Sequence, residues 1–162
     1  MDDYVSARAR AEELWREAYS QQLNGELADA IALYQASLEI YSTAEAHTFL
    51  GWCYSFLNRY EDAITECLKA IEIDPAFGNP YNDIGAYLVE QGRHREAIEW
   101  LERATRAARY ESPHFPWMNL GRVYEAIGPW HEAVRCYRAA ISIEPDYRVA
   151  KDALKALIAR LN

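Results

Sequence analysis

Four short segments of this chain are spelled almost alike: Asp29-Ala30-Ile31, Asp62-Ala63-Ile64, Glu96-Ala97-Ile98 and Glu132-Ala133-Val134. Their alanines are separated by 33, 34 and 36 residues. A chain repeating at that period folds as a stack of similar units, because one unit is too small to bury its own apolar face. A second small residue follows seven positions later in each unit, as Ser37, Ala70, Ala104 and Ala140. Seven residues is about two helical turns, so both small residues face one way and let a neighbouring helix come close.

The upstream half of each unit keeps the same register. Gly51, Gly85 and Gly121 recur there, with Ala18 in the first unit. A glycine inside a helix costs roughly 1 kcal/mol against alanine, so three at one register predict a helix contact too tight for a Cβ. Gly25, Gly92 and Gly128 recur seven residues beyond Ala18, Gly85 and Gly121, with Asn58 in the remaining unit. Glycine and asparagine suit the left-handed residue that ends a helix. Two slots thus absorb six of the seven glycines. Pro75 and Pro145 close the second and fourth units, where proline stops the helix. The predicted helices are 5–23 and 26–41, 43–57 and 60–73, 77–91 and 94–108, and 114–127 and 130–143, in four antiparallel pairs. A ninth, about 146–161, carries Val149, Ala153, Leu154, Leu157, Ile158 and Leu161 at helical spacing and reads as a cap on the last unit.

The fourth unit reads Trp117-x-x-Leu120-Gly121-x-x-Tyr124, then Ala133-x-x-x-Tyr137, then Pro145. The second matches with His47, Leu50, Gly51, Tyr54, Ala63, Cys67 and Pro75, and the third with Tyr81, Ile84, Gly85, Leu88, Ala97 and Leu101. This pattern resembles the tetratricopeptide repeat family, closest to its small stand-alone bacterial members. The first unit departs most: Glu17 and Gln21 stand where core residues are usual, as suits the uncovered side of a terminal repeat. The resemblance implies an all-α right-handed superhelical solenoid. It forms one domain over 1–162, with repeats at about 11–43, 44–77, 78–113 and 114–147. The third-to-fourth spacing carries two extra residues within Arg109-Tyr110-Glu111-Ser112-Pro113, read as a connector or a contact loop.

Composition narrows the function. The formal charge of −8 disfavours nucleic acid, whose binders show a basic footprint. No apolar stretch approaches the ~18 residues of a membrane span, and Met1-Asp2-Asp3-Tyr4 has acid where a signal peptide needs base. The expected compartment is therefore cytoplasmic. Cys53, Cys67 and Cys136 form no paired motif and read as small buried hydrophobes. No nucleophile elbow, phosphate loop or zinc motif occurs, and none of the four histidines has a second histidine or cysteine at ligand spacing. The expectation is a non-enzyme with no cofactor and no metal.

A binding surface remains. The resemblance implies that the first helix of each pair lines a concave face. One end of that face would carry Trp15, Tyr19, Phe49, Trp52 and Phe56; the other would carry Asn82, Asp83, Met118, Asn119 and Arg122. Exposed aromatic residues and arginine dominate binding hot spots, and asparagine amides both donate to and accept from a peptide backbone. Asn119 matches the asparagine common at that slot in the family's peptide binders; Phe49 and Asp83 replace it in their own units. Threading the carboxylate clamp that co-chaperones of this family use for Hsp70 and Hsp90 tails finds no clamp cations, and Asp83 would repel a carboxylate. The expected partner is a protein or peptide with apolar anchors. Charge is uneven: residues 1–81 sum to −9 and residues 82–162 to +1. That polarity supports the alternative of a head-to-tail homo-oligomer. A secretion-type chaperone is a further alternative.

Overall fold

The computed structural model describes the backbone of residues 2–161 and the side chains of residues 6–161. The outermost ends of the domain expected over 1–162 lie outside the described residues. The described residues form helices without strands, and they group into two compact units, Met1–Pro75 and Ala76–Asn162. The first unit holds α1 (Asp2–Leu23), α2 (Leu27–Ile40), α3 (Ala44–Phe56) and α4 (Tyr60–Ile73). The second holds α5 (Asn79–Glu90), α6 (His94–Thr105), α7 (His114–Ile127), α8 (Trp130–Ile143) and α9 (Arg148–Leu161). Each helix packs on the next within its unit, and α1 also touches α3, as α5 touches α7.

The repeated small residues are what permit this. Ala30, Ala63, Ala97 and Ala133 have no exposed surface, and Ser37, Ala70, Ala104 and Ala140 have almost none. Gly51 shows why a side chain is excluded: a Cβ there would lie 2.9 Å from the Ala63 carbonyl oxygen, a backbone atom with nowhere to go. The four turns inside the pairs share one stop signal. Gly25, Asn58, Gly92 and Gly128 all have positive φ, the left-handed conformation in which glycine and asparagine carry little penalty. At the far end, α9 buries Ala150 and Leu157 in a cluster with Met118, Ala133, Tyr137 and Ala140. The three thiols are buried and form no disulfide, and burial pushes Cys53 and Cys136 up to about 11.

The helix boundaries fall within two residues of the sequence-based expectation except at two places: the first helix runs from Asp2 rather than 5, and the sixth is shorter at its end. The sixth helix ends at Thr105 rather than 108. Beyond it the chain folds back on the start of α5: Arg109 N–H donates to the Ala76 carbonyl at 2.9 Å, and Gly78 N–H donates to the Arg109 carbonyl at 2.9 Å. These bonds form a single parallel bridge between Phe77 and Arg109. The Arg109 guanidinium lies 4.1 Å from the centre of the Phe77 ring, and Tyr110 presses on Gly78 so closely that a Cβ there would meet its ring at 2.7 Å. The two extra residues thus belong to a loop docked on the neighbouring helix start.

Candidate functional site

In the first unit, Trp15 and Tyr19 stand one turn apart on α1, and Phe49, Trp52 and Phe56 follow one face of α3. Their rings form an unbroken series. Trp15 stacks on Tyr19 at 5.7 Å between centroids, and Phe49 meets both edge-on at 5.3 and 5.4 Å. Trp52 lies 5.9 Å beyond Phe49, and Phe56 lies 5.5 Å beyond Trp52. Tyr34 of α2 supports Phe49 from behind at 6.2 Å, and its hydroxyl donates to Gln22 Oε1 at 2.8 Å. Pairs of this geometry contribute about 0.5–1.5 kcal/mol each beyond burial, enough to fix the orientation of the rings. The series runs from half-buried Trp15, Tyr19 and Phe49 to Trp52, 39% exposed, and Phe56, 57% exposed. Beside Trp15 opens a cavity of about 300 Å³ lined by Arg8, Glu12, Tyr41 and Glu45. The Trp15 indole N–H is enclosed and meets no acceptor among the described residues.

In the second unit the expected polar residues come together on α5 and α7. Asn119 Nδ2 donates to Asn82 Oδ1 at 3.0 Å, joining the two helices. Asn82 Nδ2 reaches Asp83 Oδ1 at 3.5 Å, a long contact. Burial pushes the Asp83 carboxyl up to about 7, against a smaller opposing pull from the Asn82 amide. Burial likewise raises the Tyr110 phenol, and the Asp83 charge raises it further. Arg122 is exposed. Met118, expected on the binding face, is instead 2% exposed and lies in the core cluster with Tyr137 and Leu157. It precedes Gly121 by three residues, and Gly121 faces the Tyr137 ring of α8, so the same side of α7 carries Met118 inward.

Two of the four histidines, His47 and His114, serve fastening and packing. His47 Nδ1 lies 2.6 Å from Glu66 Oε2 and its Nε2 lies 3.0 Å from Ser42 Oγ, while Lys69 Nζ donates to Glu66 Oε1 at 2.7 Å. This set ties the loop before α3 to α4. Burial alone would raise the Glu66 carboxyl, but the bonds from His47 and Lys69 outweigh it and hold the group below the ordinary carboxylate range. His114 packs on Phe115 and Tyr147. Among the described residues no three histidine, cysteine or acidic side chains gather at metal-binding distance, and no helix is long and apolar enough to cross a membrane. Of Arg103, Arg106 and Arg109, which recur every third residue, only Arg103 lies on α6, where it covers the Tyr81 and Trp100 rings at 4.7 and 4.8 Å.

Sequence reasoning missed the Glu66 partnership and the approach of Tyr110 to Asp83. Only the two-residue length difference between units pointed to the second. The first had no sequence signal, since a histidine in a core slot and a glutamate 19 residues on share no spacing rule.

Comparison with known proteins places this geometry. Tetratricopeptide repeat models match residues 44–77, 81–109 and 117–150. The small glutamine-rich tetratricopeptide repeat-containing protein 2 of Mycosarcoma maydis is 28% identical over 96 residues, covering 59% of this chain and 27% of that protein. The Saccharomyces cerevisiae protein of the same name is 27% identical over 99 residues, covering 60% of this chain and 29% of that protein. The chain thus spans under a third of the length of these curated relatives. Among solved structures, Pseudomonas aeruginosa pilF aligns with a TM-score of 0.88 at 22% identity, covering 97% of this chain and 70% of that one. MamA aligns at 0.73 and 23% identity, covering 86% and 81%. YrrB aligns at 0.72 and 18% identity, covering 90% and 74%. At these identities the structural likeness shows the fold, and the three repeat matches lie in phase with the glycine and alanine register read from the sequence. The chain belongs to the tetratricopeptide repeat family.

Proposed function

We propose that this chain is a protein-interaction scaffold, acting by binding rather than by catalysis, whose first unit receives the apolar anchors of a protein or peptide segment. The observation that carries this reading is the ring series on α1 and α3, ordered at its buried end and exposed at Trp52 and Phe56. Rigid, partly exposed aromatic side chains give large contact area at little cost in conformational entropy. YrrB is described as a repeat protein of this family with an unusual peptide-binding site, which supports peptide recognition by the fold. The net charge of −8 favours protein over nucleic acid as the partner, and the missing clamp cations set the site apart from carboxylate-clamp repeats.

Selection of random nonapeptides on the immobilised full chain tests the reading. Peptides with aromatic or aliphatic anchors are expected to enrich, and Trp52→Ala and Trp15→Ala are expected to lose them while retaining helicity. Enriched peptides that bind both variants as well as the parent chain would refute the site.

A second reading, self-assembly, is favoured by α8 and α9. Ile143, Val149, Ile158 and Leu161 are exposed there beside Lys151 and Lys155, whereas residues 1–81 are strongly acidic. Light scattering across a dilution series decides it: a mass that stays monomeric up to high concentration rules it out.

A further inference from the structure

Asp83 is an acidic side chain of the second unit that burial sets apart from water without an ion partner among the described residues. Glu96 pairs with Arg93, Glu125 with Arg160 and Glu132 with Arg135. Asp83, half-buried on α5, has no cation within ion-pair reach among the described residues. Its one hydrogen-bond donor, the Asn82 amide, stands at 3.5 Å, beyond the usual length of such a bond. An ionised carboxylate removed from water and left unpaired is costly, and a cation delivered to it gains more than it would at a solvated surface.

The surroundings are built for a peptide. Asn119 uses one amide hydrogen on Asn82, leaving its own carbonyl and a second N–H, the donor and acceptor that an extended backbone offers in mirror image. Tyr110 arrives from the loop after α6, held in place by the backbone bridge to Ala76 and Gly78 and close enough for its phenol to feel the Asp83 charge. A carboxylate and an amide pair thus meet on α5 and α7, and the docked loop fixes the Tyr110 ring against Gly78, just before α5.

We infer that Asp83 receives a basic side chain, arginine or lysine, of an extended peptide segment whose backbone is taken up by Asn119. This rests on the reading of the chain as a protein-interaction scaffold and adds a charge preference located in the second unit.

The test uses the immobilised full chain and three pools of random nonapeptides with arginine, glutamine or glutamate fixed at the central position, at pH 8 and low salt. Retention of the arginine pool over the glutamine pool is expected on the order of tenfold, the range of a charge-assisted hydrogen bond, with the glutamate pool retained least. Asp83→Asn, which keeps size and hydrogen-bonding atoms, should bring the arginine-to-glutamine ratio to about one. Trp52→Ala, in the first unit, should lower total retention and still retain the arginine pool over the glutamine pool. Circular dichroism checks that both variants fold. A ratio near one in the parent chain, or a ratio that survives Asp83→Asn, overturns the inference. Equal total retention by the parent chain and Trp52→Ala with the ratio intact removes the aromatic-face reading instead. No retention of any pool overturns both.

Discussion

Replacing Asp83 with asparagine should stabilise the protein at pH 8 and do almost nothing at pH 4. The carboxyl sits at about 7 in the folded chain against an ordinary value of 3.8, chiefly because burial penalises its charge. The folded value is the higher one, so the native state holds a proton that the unfolded chain gives up. Stability is therefore undiminished below about 4, declines as pH rises towards 7, and stays reduced above it. At about 1.4 kcal/mol for each tenfold change in proton affinity, the gap sets a ceiling of about 4 kcal/mol at pH 8. Relaxation and water entry lower that ceiling, so a gain of about 1–3 kcal/mol is expected. Asparagine keeps the shape and cannot ionise, so the variant escapes the loss. Tyr110, the other titratable group coupled to this site, stays protonated over the same range because burial raises it. The assay is thermal unfolding of both proteins from pH 4 to 8, where 1 kcal/mol corresponds to roughly 2–4 °C for a chain of this size. The difference between the two proteins cancels the titration of every remote group. A difference that does not change with pH, or a variant less stable at pH 8, refutes the argument.

Three further outcomes follow from the packing. Gly51→Ala should cost about 1–3 kcal/mol in urea unfolding, as overpacking does, because its Cβ would press on the Ala63 carbonyl oxygen; a neutral result would mean that α3 and α4 separate freely. Glu66→Gln should destabilise at pH 7, and the loss should vanish on acidification. The folded Glu66 carboxyl lies below its ordinary 4.5, so its contribution is present above that value and lost as pH falls through the lower folded one; a loss still present at pH 2 would assign the effect to packing. Phe56→Ala should change stability by under about 0.5 kcal/mol, as exposed positions do, while weakening peptide capture; a large drop in melting temperature would show that the ring belongs to the core.

The helices were legible because their signals are local and written four times. Gly25, Asn58, Gly92 and Gly128 mark the turns by a backbone conformation that few residues accept, and the small-residue slots mark the faces that touch. The candidate site was legible only in part. Consecutive helix positions differ by about 100° around the axis, so Asn119 and Met118 are neighbours in sequence yet point to different surroundings. The turn of α7 that brings Gly121 onto Tyr137 settles which of them is buried. Tyr110 and Glu66 escaped notice for a different reason. Their partners lie in other elements, 27 residues before Tyr110 and 19 before Glu66, and such pairings depend on how whole elements pack.

The bridge between Phe77 and Arg109 fastens the two ends of the third repeat to each other. A segment of more than thirty residues is thereby closed like a buckled strap, with Tyr110 next to the buckle. Insertions and deletions after α6 would be transmitted straight to the start of α5 instead of being absorbed as slack. The length of that connection is thus a dimension of the polar site. A version of this chain two residues shorter there would draw the tyrosine off Gly78 and shift it relative to Asp83 without any change to the residues on α5 or α7.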